Sequence, residues 1–297
     1  MRSIRVVLLV ALGLLGMTRP VPAADPSWPK EITFGLLSTE SATEVQRRYG
    51  PILAQLEKDL GVTVKSAAAT DYRGTIEALK FKKAEMAHLG PKSYIEASTN
   101  NYANVEPVAQ LQLSNGSLGY RSCLIVHADS DIFSPEDMAG KTFAFNDPNS
   151  TSGYLVPSAF FMMEMSVDPK KYFSKLTFSG SHEASILAVA AKKVDIASTN
   201  LPDLQQLTRE GKVPRGGLRV IWVSKLIPND PIVVRKDLPD GLKQAIQESL
   251  VSMKTRHPEA FVQAGAWVGA FVKADDSKYQ IIRDLNDTAK KLAAQKN

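Results

Sequence analysis

Cysteine is nearly absent from this sequence: Cys123 stands alone among 297 residues. A single thiol excludes a disulfide framework and a cysteine-based metal cluster. Inside Ser122-Cys123-Leu124-Ile125-Val126 it reads as a small core residue on a strand. Histidine is scarce as well, four residues scattered without His-Glu-x-x-His or any other metal-ligand spacing. The glycines form no Gly-x-Gly-x-x-Gly, no P-loop and no Gly-x-Ser-x-Gly elbow, so neither nucleotide binding nor a serine-hydrolase turn has support. No cofactor is expected. Long runs of one charge sign are missing too, and no segment is rich enough in Pro, Ser or Gly to be an extended linker.

One long apolar run is present, residues 6–17, behind Arg2 and Arg5. It is too short to span a bilayer, and Val21-Pro22-Ala23 supplies acceptable residues at the −3 and −1 positions of a cleavage site. The expectation is a signal peptide over residues 1–23, cut after Ala23, and a protein exported to the periplasm. No cysteine near that point offers a lipid anchor. Removing Arg2, Arg5 and Arg19 leaves 33 basic against 31 acidic residues, about +2. The basic pI of 9.1 therefore gives no reason to expect nucleic acid as a partner.

The remaining 274 residues suffice for two domains of ordinary size. From Glu31 onward short strands alternate with amphipathic helices, the pattern of an α/β fold. Residues 32–37 read as a strand, 38–41 as a loop and helix start, 52–60 as helix closed by Gly61, and 62–64 as the next strand. Asp71-Tyr72-Arg73-Gly74 opens a helix that closes at Lys82-Lys83, with cations suited to a helix C-terminus. Residues 84–87 form a short strand after it. The second half repeats the scheme with a strand at 142–145, a loop at 147–153, a helix at 183–193 closing again with Lys-Lys, and a strand at 194–197. Ser38 to Lys82 is 44 positions and Ser150 to Lys192 is 42.

Two lobes of related design explain this echo, their parallel strands aiming C-terminal ends at a shared crevice. The expected lobes are residues 24–121 plus 232–297, and residues 122–231. Short crossings are expected near 120–126 and 223–234, the second stiffened by Pro228 and Pro231. Together they make a hinge for closure around a ligand. The tail, about 277–291, reads as a helix with apolar Ile281, Ile282, Leu285 and Leu292.

Asp147-Pro148-Asn149-Ser150-Thr151-Ser152-Gly153 carries the strongest chemical signal. It follows a strand and opens an apolar helical stretch, so hydroxyls and free backbone N–H groups converge at a helix N-terminus. An anion is stabilised there without a cationic side chain. Plain N-capping accounts for such hydroxyls too, and the residues alone leave both readings open. His182, at the start of the 183–193 helix, is either a donor to an oxyanion or a structural histidine. Tyr72 and Tyr120 are cleft walls or half-buried aromatics. Asp230, between Asn229 and Pro231, is a turn residue or an acceptor facing a ligand. No catalytic constellation stands out, and the chain is expected not to be an enzyme.

Phe34-Gly-Leu-Leu-Ser-Thr-Glu-Ser41, Asp71-Tyr72-x-Gly74, Asp147-Pro-Asn-Ser-Thr-Ser-Gly153, His182-Glu183 and Leu226-Ile-Pro-x-Asp-Pro-Ile232 occur in this order. Over about residues 31–234, and more loosely to 270, they resemble the phosphonate-binding PhnD family of periplasmic proteins. The resemblance implies a two-lobed periplasmic-binding-protein fold of type II. It also implies capture of a phosphonate or related phosphorus oxyanion, such as an alkylphosphonate, phosphite or phosphate, for an ABC importer. The permease would be the protein partner, and the only route to the membrane. By the same resemblance Ser150, Thr151 and Ser152 would bind phosphonate oxygens, and His182 would donate a further hydrogen bond. Tyr72 and Tyr120 would line the pocket, and Asp230 matches the residue that faces the amine in aminoethylphosphonate binders.

The sequence departs from the family in two places. Pro202 stands where amine binders carry a second carboxylate, with Asp203 offset by one, and His88-Leu89-Gly90 stands where an aromatic is common. A lost carboxylate weakens recognition of an ammonium group by roughly 1.5–3 kcal/mol, so a ligand without an amine is expected. A ligand-sensing module of a membrane signalling system would share this pocket. An exported hydrolase using His182 and a nearby serine is the third reading.

Overall fold

The structure, a computed structural model, describes residues 25–296; the expected signal segment lies outside the described residues. The chain begins with β1 (Glu31–Leu36), β2 (Thr63–Ala68) and β3 (Met86–His88), and β2 and β3 flank β1 in parallel. The helices between them start where local sequence dictates: the Ser41 and Asp71 side chains accept from the amides of Glu44 and Gly74. The first helix, Ala42–Leu60, begins well before the apolar stretch at 52–60 and carries Pro51 inside it. One buried face of Val45, Ile52, Leu53, Leu56 and Leu60 outweighs the local cost of that proline.

β4 (Val105–Leu113) follows, and β5 (Gly119–Tyr120) then leads to a second sheet of β6 (Ser122–His127), β7 (Thr142–Phe145), β8 (Lys175–Phe178), β9 (Ile196–Asn200) and β10 (Leu218–Val223). β11 (Ile227–Pro228) carries the chain back to β12 (Pro231–Arg235) and β13 (Val268–Lys273). The sheets have the orders β13-β4-β12-β3-β1-β2 and β10-β6-β9-β7-β8. In the second, β7 lies parallel to β8 and β9, matching β1 in the first. The echo extends to the helix ends. Lys82 and Lys192 both adopt left-handed φ, 57° and 55°, and the amides of Lys83 and Lys193 reach back to the carbonyls of Ala78 and Ala188 at 2.8 and 2.9 Å. These lysine pairs therefore close each helix through the backbone, not only by charge.

The crossings pair with each other, Tyr120 opposite Ile227 and Gly119 opposite Pro228. The outward crossing ends earlier than the sequence pattern indicated, because Ser122–His127 is a buried strand held between β10 and β9. Their approach requires Gly119: a Cβ there would lie 2.6 Å from the Ile227 carbonyl oxygen. The C-terminal helix, Gln280–Lys296, packs against Pro91–Ser98 of the first lobe and Val156–Ala159 of the second. Ile282 and Ala289 are buried on its inner face, whereas Ile281 is 59% exposed; that residue sits off the apolar stripe it was expected to join.

An aromatic cluster anchors β7. Phe143 lies 4.8 Å from Phe145, 5.3 Å from Phe161 and 4.6 Å from Phe173, ring centre to ring centre. Such pairs contribute about 0.5–1.5 kcal/mol each beyond their burial. Cys123 is buried in β6, as expected for a core thiol.

Candidate ligand-binding site

β7 delivers the loop Asp147–Gly153 to the space between the lobes. Ser150 Oγ accepts from the Gly153 amide at 3.0 Å, so the serine does cap the helix. Thr151 Oγ1 accepts from the Lys92 amide at 2.9 Å, across from the first lobe. Each hydroxyl thus takes one backbone N–H and keeps its own proton to donate. The following turn widens: Leu155 N–H reaches Ser150 C=O at 3.1 Å, one residue beyond α-helical spacing. Widened turns of this kind occur frequently at functional sites.

Tyr72, Tyr120, Ser150, Thr151, His182 and Asp230 all line one cleft. Ser152 is not on its lining. Its Oγ lies 3.4 Å from His182 Nε2, and its carbonyl accepts from Ser122 Oγ at 2.7 Å, so it supports the histidine from the side. His182 Nδ1 is 3.1 Å from Thr199 Oγ1. The histidine is therefore held by two hydroxyls and no carboxylate. Burial pushes its pKa down to about 4, against a weaker opposing pull from Asp230, and the neutral ring has one N–H to donate. Burial likewise raises the Tyr72 and Tyr120 phenols, so both stay protonated donors.

The cleft carries acidic groups with the opposite shift. Burial raises Asp203 to about 6 and Glu40 to about 7. A depressed histidine stabilises the fold above its unfolded value, and that contribution is lost as pH falls from 6.5 to about 4. Raised carboxyls stabilise at low pH, and their contribution is lost as pH rises through about 6 and 7. His182→Asn should therefore be relatively better tolerated at pH 4 than at pH 7. The difference in ΔΔG expected from urea unfolding is about 3 kcal/mol, on the order of the shift itself. An equal ΔΔG at both values would mean that the ring titrates normally.

Sequence reasoning missed several lining residues. Tyr49, His88, Trp267, Glu40 and Arg48 all face the cleft. His88 Nε2 is 3.0 Å from Asp230 Oδ2, and His88 Nδ1 is 3.0 Å from the Tyr49 hydroxyl. Asp230 Oδ1 and Trp267 Nε1 are buried without a partner among the described residues. Asp203 lines the cleft despite its one-residue offset, as does Pro202. Its Oδ2 accepts from Asn200 Nδ2 at 2.7 Å. One signal was available for His88, which ends a parallel strand where such strands face the crevice. Tyr49 and Trp267 carried none.

The lobes are drawn together at the cleft rim. Glu183 accepts from the Ser41 amide at 3.0 Å and donates its own amide to the Thr39 carbonyl at 3.2 Å. Arg48 joins Glu40 at 3.0 Å in its own lobe and Glu210 at 2.7 Å in the other.

Two α/β lobes, two short crossings and an interlobe cleft lined by donors define a two-lobed periplasmic-binding-protein fold of type II. Residues 34–279 match the family described as ABC transporter, phosphonate, periplasmic substrate-binding protein. The chain is 37% identical to the phosphonates-binding periplasmic protein of Escherichia coli (strain K12), over 89% of this chain and 78% of that one. It is 31% identical to the phosphate-import protein PhnD of Mycolicibacterium smegmatis, over 95% and 92%. A solved binding-protein component of an ABC phosphonate transporter from Pseudomonas aeruginosa superposes with a TM-score of 0.82 at 35% identity, covering 90% of this chain and 89% of that one. The chain belongs to this family of periplasmic phosphonate-binding proteins, the substrate-binding components of ABC importers.

Proposed function

We propose that the protein captures a small phosphorus oxyanion without an amine, of the alkylphosphonate, phosphite or phosphate type, and hands it to a membrane permease. The observation that carries this reading is the convergence on one buried cleft of Ser150 and Thr151 hydroxyls, Tyr72 and His182, contributed by both lobes. Neutral donors at a helix N-terminus stabilise an anion while leaving its release possible when the lobes open. A ligand that binds the closed form better shifts the hinge toward it.

Tyr120 serves as a wall from the crossing, Ser152 orients His182, and Asp230 accepts from the ligand. Binding without turnover is supported by His182, which has a threonine hydroxyl where a catalytic pair would have a carboxylate. Export by a signal peptide at 1–23, and lobes at 24–121 plus 232–297 and 122–231, complete the proposal; strand membership in the two sheets supports these limits. A ligand without an amine is favoured because Pro202 stands where amine binders carry a second carboxylate, and the neighbouring Asp203 is already bonded to Asn200.

Calorimetric titration of residues 24–297, stripped of bound ligand by unfolding and refolding, tests the reading. Methylphosphonate should bind tightly, aminoethylphosphonate less so and sulfate not at all. Failure of every phosphorus anion to bind would sink it, and turnover of a phosphate ester, lost in His182→Ala, would replace it with the hydrolase. Ser150→Ala and Thr151→Ala should each weaken binding about tenfold, one charge-assisted bond apiece. Unchanged affinity in both places the anion elsewhere.

A further inference from the structure

Three side chains form a relay along the cleft wall. Tyr49 lies between Phe34 and His88, tilted against each, with ring centres 5.7 and 5.5 Å away. Its hydroxyl meets His88 Nδ1, and His88 Nε2 meets Asp230 Oδ2, both at 3.0 Å. In a neutral imidazole, an Nε2–H that donates to the carboxylate leaves Nδ1 as acceptor, which the Tyr49 O–H fills. Asp230 is thereby held with one oxygen satisfied and the other, Oδ1, buried and without a partner among the described residues.

The groups that face Asp230 have other commitments. Tyr279 donates to the Asn229 carbonyl at 2.9 Å, His182 lies between Ser152 and Thr199, and Asp203 is bonded to Asn200. Tyr72 and Tyr120 also feel its charge, and none of these groups bonds Oδ1.

We propose that His88 fixes Asp230 as a one-oxygen acceptor, and that this acceptor selects oxyanions that bring their own proton. The inference rests on the phosphorus-oxyanion reading of the cleft. A carboxylate repels an oxyanion unless a hydrogen lies between them. Near neutral pH a phosphonate is partly singly protonated and offers a P–O–H donor, whereas sulfate carries no proton and meets Oδ1 as bare charge. An ammonium group also donates, but it gains less from a carboxylate already shared with His88. Asp230 touches the ligand; His88 is a positioning residue.

The test titrates wild type, His88→Gln and His88→Phe with methylphosphonate and with sulfate between pH 5.5 and 8.5. Wild type should lose methylphosphonate affinity about tenfold per pH unit above the ligand's second ionisation, the slope for one required proton. His88→Gln keeps an N–H for Oδ2 and should keep that slope; because Gln does not titrate, the slope then does not come from residue 88. In His88→Phe neither carboxylate oxygen keeps a protein partner among the described residues, and the carboxylate is no longer fixed as an acceptor. Its pH profile should flatten, and the preference for methylphosphonate over sulfate should shrink at least tenfold.

A purely structural histidine would instead give a His88→Phe profile parallel to wild type, and that result overturns the inference. So does a flat wild-type profile with methylphosphonate bound, which leaves the phosphorus reading intact. If wild type binds no phosphorus anion, both fall. Should His88→Phe not fold, Asp230→Asn decides: its amide can donate, so it should admit sulfate, and continued exclusion of sulfate counts against the proposal.

Discussion

Gly153→Ala should weaken phosphonate capture at least a hundredfold in a protein that still melts cooperatively. A Cβ at this position would lie 2.2 Å from Asn146 Cβ, closer than real atoms approach. Asn146 cannot retreat. It is fully buried, its amide donates to the Gly153 carbonyl at 3.0 Å, and its carbonyl accepts from Gly180 at 2.9 Å. Beneath it, β7 is pinned by the Phe143 cluster. The loop must move instead, carrying with it the Ser150 cap, the Thr151 contact to Lys92 and the 2.7 Å bond from Ser198 Oγ to the Gly153 carbonyl. Overpacking costs about 1–3 kcal/mol of stability. Misplacing two charge-assisted donors, each about tenfold, accounts for the larger effect on affinity. Calorimetry beside a thermal melt separates the two. Affinity within threefold of wild type would show that the close approach of Gly153 is not what aims the donors.

Arg48→Met should cost about 3–5 kcal/mol of folding stability at pH 8.5, the range for removing one member of a buried ion pair. Arg48 and Glu40 are both under a tenth exposed, with Nε 3.0 Å from Oε2. Without the guanidinium, Glu40 is an unpaired charge next to Asp203. Burial already raises its pKa to about 7, and Arg48 is what restrains it. Below that value the carboxyl can take a proton and lose its charge, so the cost at pH 6 should be clearly smaller. Urea unfolding at the two pH values measures this directly. Phosphonate affinity should fall as well, because Arg48 also reaches Glu210 in the other lobe and the closed form loses that bond. A variant as stable as wild type at both values would reduce the pair to the small worth of a surface contact.

The donor-rich loop at 147–153 was legible because its chemistry is contiguous: seven residues hold the turn, the hydroxyls and the helix start. His182 was legible for the same reason, as the first residue after the Ser181 cap. Asp203 was misjudged from its offset. It belongs to the first turn of the helix Leu201–Arg209, beside Pro202, and the Asn200 cap draws its carboxylate to the helix end. Positions 202 and 203 therefore both reach the cleft. His88 was noticed only as a missing aromatic. Its role depends on β3 lying beside β12, where His88 pairs with Ile232 and so stands next to Asp230, 142 residues away in the chain.

What the sequence determined by itself is local or periodic: strand and helix alternation, the doubled pattern of two lobes, the caps at Ser41, Asp71 and Ser150, and the donor-rich loop. A cap needs only three or four neighbouring residues, and an apolar stripe only one helix, so both can be read along the chain. The tertiary structure decided which groups lie without partners among the described residues, which ion pair bridges the lobes, and that burial shifts the Asp203 and Glu40 carboxyls up and the His182 imidazole down. Those properties come from desolvation and from pairing between distant strands. Neither exists until the sheets have packed and the two lobes have met.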